Sequence, residues 1–164
     1  MNKEDLMKTM LKGTIEKLSQ ENAVIIANSW KYSDQYSFYD MTADIDDYNE
    51  FVNEHIRGNN YFQYMSEDEL LGFFCLEIID NAIILGLGLR PDLTGQGYGK
   101  DFMKIIEQYI ISHFTTIDEI KLSVATFNHR AIKLYEKCGY IKTEQSLVET
   151  NGAIYPFIHL SKYI

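Results

Sequence analysis

The order of elements in this sequence predicts an α+β fold, with a mixed, mostly antiparallel sheet in a three-layer arrangement. Three observations predict it. Two strand-turn-strand signals stand far apart, at Asp80-Asn81 and at Asn151-Gly152, and hairpins make antiparallel neighbours. Only one or two helical segments can serve as crossovers, too few for a doubly wound parallel sheet. The apolar period also lengthens at Gly97, from that of a strand to that of a helix.

The first residues give no clear pattern, and "GTIEKL" then reads as a short strand. Ser19 can cap a helix through "QENAVIIANSW", because its hydroxyl can accept from a free N–H of the first turn. "WKYSDQYSFYDM" has turn residues and many aromatics and reads as a loop. Asp46 or Asp47 can open a second helix through "YNEFVNEHIRG", closed by Gly58. "YFQYM", the turn "SEDE" and the continuously apolar "LLGFFCLEII" follow, the last as a buried strand. Asp80 and Asn81 turn the chain into "AIILGLGL".

From Gly97 to about His113, Phe102, Ile105, Ile106, Tyr109 and Ile110 share one helical face. "IKLSV" is the next strand, and Asn128 can cap the helix "HRAIKLYEKC", which stops at Gly139. "YIKTEQSLVE" and "AIYPFIHLS" form the last hairpin. Pro156 cannot donate to a ladder, so it should mark an edge, a bulge or a strand start.

With 164 residues, 46% of them hydrophobic, the chain is long enough for one sizeable core, so residues 1–164 are expected to form one domain. The net charge of −9 opposes binding to nucleic acid or an anionic membrane and favours a cationic partner. Cys75 and Cys138 lie far apart in apolar or helical contexts, which suits buried thiols rather than a disulfide framework. The N-terminus lacks a signal-peptide pattern and no long apolar run follows, so a cytoplasmic location is expected. The four histidines, His55, His113, His129 and His159, lack metal-ligand spacing, and no metal site is expected. GxSxG is absent too.

The stretch "RPDLTGQGYGKDFM" carries the strongest chemical signal. A P-loop would need Gly and Ser or Thr where Thr94 and Asp101 stand. A dinucleotide fingerprint would need Gly at Lys100 or Phe102. What remains is a glycine-spaced turn at a helix N-terminus, whose free N–H groups can hold a diphosphate, with Lys100 nearby; the alternative is a turn that is merely tight. In the preceding strand, Leu85, Leu87 and Leu89 share one face and Ile84, Gly86 and Gly88 the other. Two strand glycines suggest a bulge or a ligand lying against the backbone.

Together, "LGLRPDLTGQGYGKDFM" and "LSVATFNHRAIKLYEKCGYIKTE" resemble the acyl-CoA binding core of the GNAT superfamily of N-acetyltransferases, over about residues 83 to 144. "YSFYDM" and "GLGLRPDLTG" are similar to a bacterial subgroup of it. The resemblance implies splayed central strands, helices on both sheet faces, and acetyl-CoA as co-substrate. It implies diphosphate contacts along Thr94, Gly95, Gln96, Gly97, Tyr98, Gly99 and Lys100, with Thr94 replacing the family's usual Arg or Gln. It places the pantetheine arm beside the backbone of Leu87, Gly88 and Leu89 and the side chain of Asn128, which can equally be only a helix cap.

Acetyl transfer to an amine needs a neutral amine, an oxyanion site and a proton for the leaving thiolate. Strand amides suit the oxyanion. Tyr135 matches the family's acid and lies seven residues after Asn128, on nearly the same helical face. Glu77, the lone carboxylate of an apolar strand, is the candidate base if burial raises its pKa, and an exposed strand residue otherwise. Trp30, Tyr32, Tyr36, Phe38 and Tyr39 crowd a loop that, by resemblance, passes over the acceptor; they can wall an amine site or seal the loop's underside. The expectation is an N-acetyltransferase using a ternary complex, with a small-molecule amine or peptide acceptor. A homodimer is compatible with it. The rival is a non-catalytic acyl-CoA-binding sensor or interaction module.

Overall fold

The computed structural model describes residues 2–164. Its elements run α1 (Lys3–Leu11), β1 (Thr14–Lys17), α2 (Gln20–Ser29), α3 (Ile45–Val52), α4 (Glu54–Arg57), β2 (Tyr61–Ser66), β3 (Glu69–Ile79), β4 (Ala82–Leu89), α5 (Gly99–His113), β5 (Glu119–Ala125), α6 (His129–Lys137), β6 (Ile141–Thr150) and β7 (Ala153–Tyr163). The seven strands lie in the order β1-β2-β3-β4-β5-β7-β6. Every ladder is antiparallel except β4 with β5, as the two hairpin signals required.

Local chemistry sets the boundaries. The Asn22 N–H donates to the Ser19 hydroxyl at 3.1 Å, as expected of a cap. The second helix opens two or three residues earlier than expected, because Asp44 accepts from the N–H groups of both Asp46 and Asp47. Asn53 then breaks it and caps α4, accepting from His55 and Ile56. Asp80 and Asn151 adopt φ of 54° and 53°, left-handed values that Asp and Asn tolerate in tight turns. The unread N-terminal segment is α1, and α5 starts at Gly99, two residues after the expected point. The aromatic loop contains two short 3-10 turns, Asp34–Tyr39 and Met41–Ala43.

One core lies between the sheet and α1, α5 and α6, around Phe74, Leu71, Ile83, Phe102, Met103, Ile106 and Ile120. A smaller one, from Ala23, Ile26, Trp30 and Phe51, packs on the opposite face with Phe73. Pro156 lies inside an internal strand rather than at its start. Its carbonyl accepts from Thr126 N at 3.1 Å, just past the end of β5, so its missing donor costs only the reciprocal half of the last contact on that flank.

The parallel β4–β5 ladder holds for only three pairs, Ala82 with Glu119 to Ile84 with Lys121. Beyond them the strands part. No register shift interrupts β3 and β4 from Ile79↔Ala82 to Gly72↔Leu89, so the opening comes from the early end of the parallel pairing and not from a bulge on that side.

Candidate functional site

Arg90 N–H donates to Leu71 O at 2.9 Å. In an antiparallel ladder this makes Gly88 and Gly86 face β3 with their backbone groups, while Leu87 and Leu89 turn theirs into the opening. Gly88 is therefore not free to pair with a ligand. The two glycines also have a structural cause: a Cβ on Gly88 would lie 2.5 Å from Phe73 Cε1, and one on Gly86 2.8 Å from Cys75 Sγ. Side chains of β3, rather than a ligand, take that space. Burial pushes the Cys75 thiol up to about 11.

A cavity of about 340 Å³ occupies the opening, lined by the Gly86–Leu89 backbone, Ser123, Asn128, Arg130, Tyr135 and the aromatic loop. It continues into one of about 220 Å³ beneath the glycine turn, with Thr94, Gly95, Gly97 and Gly99 on its wall. Gly95, Gln96 and Gly97 are exposed. Residues 94–97 form a turn, yet among the described residues no well-formed hydrogen bond is donated by the backbone N–H groups of Gly95 to Lys100. Gly95 and Gly97 hold φ of 70° and 92°, which glycine adopts without strain. Gly99 has a different cause, since a Cβ there would lie 2.6 Å from Leu134 of α6. The Tyr98 side chain belongs to the core and is 1% exposed, so only its peptide faces the turn. Thr94 turns its hydroxyl back onto Pro91 O at 2.7 Å, and Lys100 is exposed.

Sequence reasoning missed Arg130. Its guanidinium stands 4.1 Å over the Tyr36 ring, and its Nη1 is 3.0 Å from where a Gly95 Cβ would be. A positive charge thus sits beside the free amides, where the family pattern has Arg or Gln at position 94. Its one sequence signal was its place two residues after the Asn128 cap.

Asn128 is buried and accepts from Ala131 N at 3.1 Å, so it caps α6 while facing the cavity. Tyr135 is buried on the same wall. Burial raises its phenol well above the ordinary value, with Tyr39 and Cys138 adding to the effect, so it holds its proton at neutral pH.

Glu77 does not fit the role of base. It is exposed, pairs with Ile84 where β4 still contacts β5, and lies outside the cavity walls. The strand is apolar around it because its middle is buried; its last three residues are not.

Trp30, Tyr32, Tyr36 and Tyr39 line the first cavity. Tyr32 donates from its hydroxyl to Leu89 O at 2.8 Å and from its N–H to Asp40 Oδ1 at 2.8 Å. Tyr39 accepts from Ala125 N at 3.3 Å. Phe38 instead packs edge-on against Tyr39, Phe127 and Tyr155 and lines a second cavity of about 380 Å³. That cavity carries Asp40, Asp44, Asp47 and Glu50, and it shares Tyr39, Met41, Phe73, Gly86 and Leu87 with the first. Burial, then Asp44, Glu50 and Asp46, raise the Asp47 pKa. Asp44 is lowered, chiefly by the N–H groups of Asn151 and Asp47. The tip of the β6–β7 hairpin closes this chamber: Asn151 N donates to Asp44 Oδ2 at 2.8 Å and Asn151 Nδ2 to Phe38 O at 2.8 Å.

Among the described residues, no group of three or more His, Cys, Asp or Glu is disposed to hold a metal, and no helix is long and apolar enough to cross a membrane.

Residues 24–140 match the Acetyltransferase (GNAT) family. A spermidine N(1)-acetyltransferase of Vibrio cholerae is 28% identical over 120 residues, covering 70% of this chain and 68% of the relative. Among solved structures, the spermidine N-acetyltransferase of Vibrio cholerae in complex with CoA and spermine superposes with a TM-score of 0.70 at 20% identity, over 93% of this chain and 95% of that one. A chimaera of that enzyme with hSSAT also gives 0.70, at 21% identity and the same coverage. The family match spans most of the chain and the fold agrees with it: the protein belongs to the GNAT family and is an acyl-CoA-dependent N-acetyltransferase.

Proposed function

We propose that the protein transfers acetyl from acetyl-CoA directly to a primary amine of a small cationic acceptor, both substrates being bound together. The observation that carries this reading is the meeting of two unlike cavities at the β4–β5 opening. One has free amides and a guanidinium at its far end, suited to a diphosphate; the other has four carboxylates, suited to an ammonium. The acetylation of spermidine by the named relative supports the same acceptor class.

In this reading the amides from Gly95 to Lys100 hold the diphosphate with Arg130, and Leu87 and Leu89 pair with the pantetheine arm. A Leu87 or Leu89 N–H stabilises the oxyanion as the amine attacks the thioester carbon. Tyr135 supplies the proton to the CoA thiolate. The aromatic loop covers both substrates and excludes water.

The test is thiol release from acetyl-CoA with spermidine, simple diamines and neutral amines. Turnover should favour the cationic acceptors, and Tyr135→Phe should lower kcat at least about 100-fold with little change in KM for acetyl-CoA. Binding of CoA without turnover of any amine overturns the reading.

A further inference from the structure

With Glu77 set aside, the group that takes the ammonium proton has to be found elsewhere, and the acceptor-side face of the sheet carries one. β5 continues past Lys121, its last residue paired with β4, and Ser123 lines the first cavity with Leu87 and Tyr135. Strand alternation places Ser123 on the face of Gly86, across the opening. His159 is its register partner in β7. The His159 Nδ1 lies 2.6 Å from Ser123 Oγ, and its Nε2 2.6 Å from Ser146 Oγ on β6. One imidazole thus joins hydroxyls from both flanking strands, in a line that begins at the cavity wall. With Ser123 donating to Nδ1, Nε2 keeps its proton and donates to Ser146. The ring is half-buried, so it can exchange with solvent. On the strands beside His159, the ionisable groups sharing this face are Glu119 and Lys121 on β5, Glu144 opposite it on β6, and Tyr155 and Tyr163 on β7, with Tyr39 from the loop above.

We infer that Ser123 and His159 form the proton relay that makes the acceptor amine nucleophilic, an inference that rests on the acetyl-transfer reading above. The ammonium gives one proton to Ser123 Oγ as the Ser123 proton passes to His159 Nδ1. The freed lone pair then bonds to the thioester carbon, and the C–S bond breaks. His159 releases its proton to solvent. The second nitrogen proton, lost as the tetrahedral adduct collapses, restores the one that Tyr135 gives to the thiolate. One proton is released per turnover, as amide formation from an ammonium requires. Ser123 touches the reacting amine, and His159 acts through it.

The test compares Ser123→Ala and His159→Gln with wild type, using spermidine and the weakly basic methoxyamine as acceptors. Gln can still reach both serines but cannot take a proton. For spermidine at pH 7, kcat/KM should fall about 100-fold in each variant, with no further loss in the double variant. The deficit should shrink as pH rises toward the range where alkylamines deprotonate unaided, and it should be absent with methoxyamine, which is already neutral. The melting shift produced by CoA should be unchanged. A deficit equal at every pH, or none at pH 7, overturns the relay while leaving acetyl transfer intact. A wild type that acetylates no amine overturns the functional reading, and the relay with it.

Discussion

The hydroxyl of Tyr32 donates to the carbonyl oxygen of Leu89 at 2.8 Å, which ties the aromatic loop to the open edge of β4. Leu89 therefore offers only its N–H to the cavity, while Leu87 offers both backbone groups. Tyr32→Phe should cost about 1 kcal/mol of stability, the usual net worth of such a bond, and should loosen the loop. Urea denaturation checks the first effect. A raised KM for the acceptor, with that for acetyl-CoA less affected, checks the second.

Arg130 should act through its charge. Arg130→Ala is expected to raise the KM for acetyl-CoA roughly tenfold, the scale of one charge-assisted contact, with kcat at saturation nearly unchanged. Added salt should narrow the gap between the two proteins, because part of the attraction is screened. Steady-state kinetics at two ionic strengths tests both statements.

Asp47 opposes folding and serves binding in the proposed reading. Its pKa is raised in the folded state by burial and by neighbouring carboxylates, so its ionisation weakens the fold as pH climbs past the ordinary carboxylate value. Asp47→Asn should raise the melting temperature at neutral pH, and the gain should vanish in acid, where the carboxyl is already protonated. The same variant should bind a cationic acceptor less tightly. Melting curves at pH 3 and pH 7, with the KM for spermidine, decide it.

Two glycine substitutions should fail for different reasons. Gly88→Ala brings a Cβ to 2.5 Å from the Phe73 ring, an overpacking cost of about 1–3 kcal/mol that Phe73→Leu should relieve. Gly97→Ala meets open space but must hold φ of 92°, a strain of about 1–3 kcal/mol that no neighbouring substitution should relieve. Denaturant midpoints of single and double variants separate the two.

These cases show what the sequence could and could not carry. Ser19 acts through its own hydroxyl on the next turn, and Gly58, Asp80-Asn81 and Asn151-Gly152 through their own backbone, so caps and turns were legible. Asp44 was missed as a cap because three acids lie within four positions, and only the chain path decides which one accepts. The purpose of Gly86 and Gly88 was misjudged, since it depends on which β3 side chains face them. Glu77 looked buried because its strand is apolar, yet the strand outruns the layers that cover it. Arg130 and the Ser123–His159–Ser146 line come from packing and register between distant segments, which leave no local pattern.

The Asn151 latch onto Asp44 joins positions 107 residues apart. In the proposed reading, the turn of the C-terminal hairpin and the early carboxylates build the acceptor chamber together, while the coenzyme half lies between them in the chain. Selectivity and thioester chemistry are then separable inheritances: exchanging one short turn could redirect the enzyme to another amine without disturbing how it grips its donor.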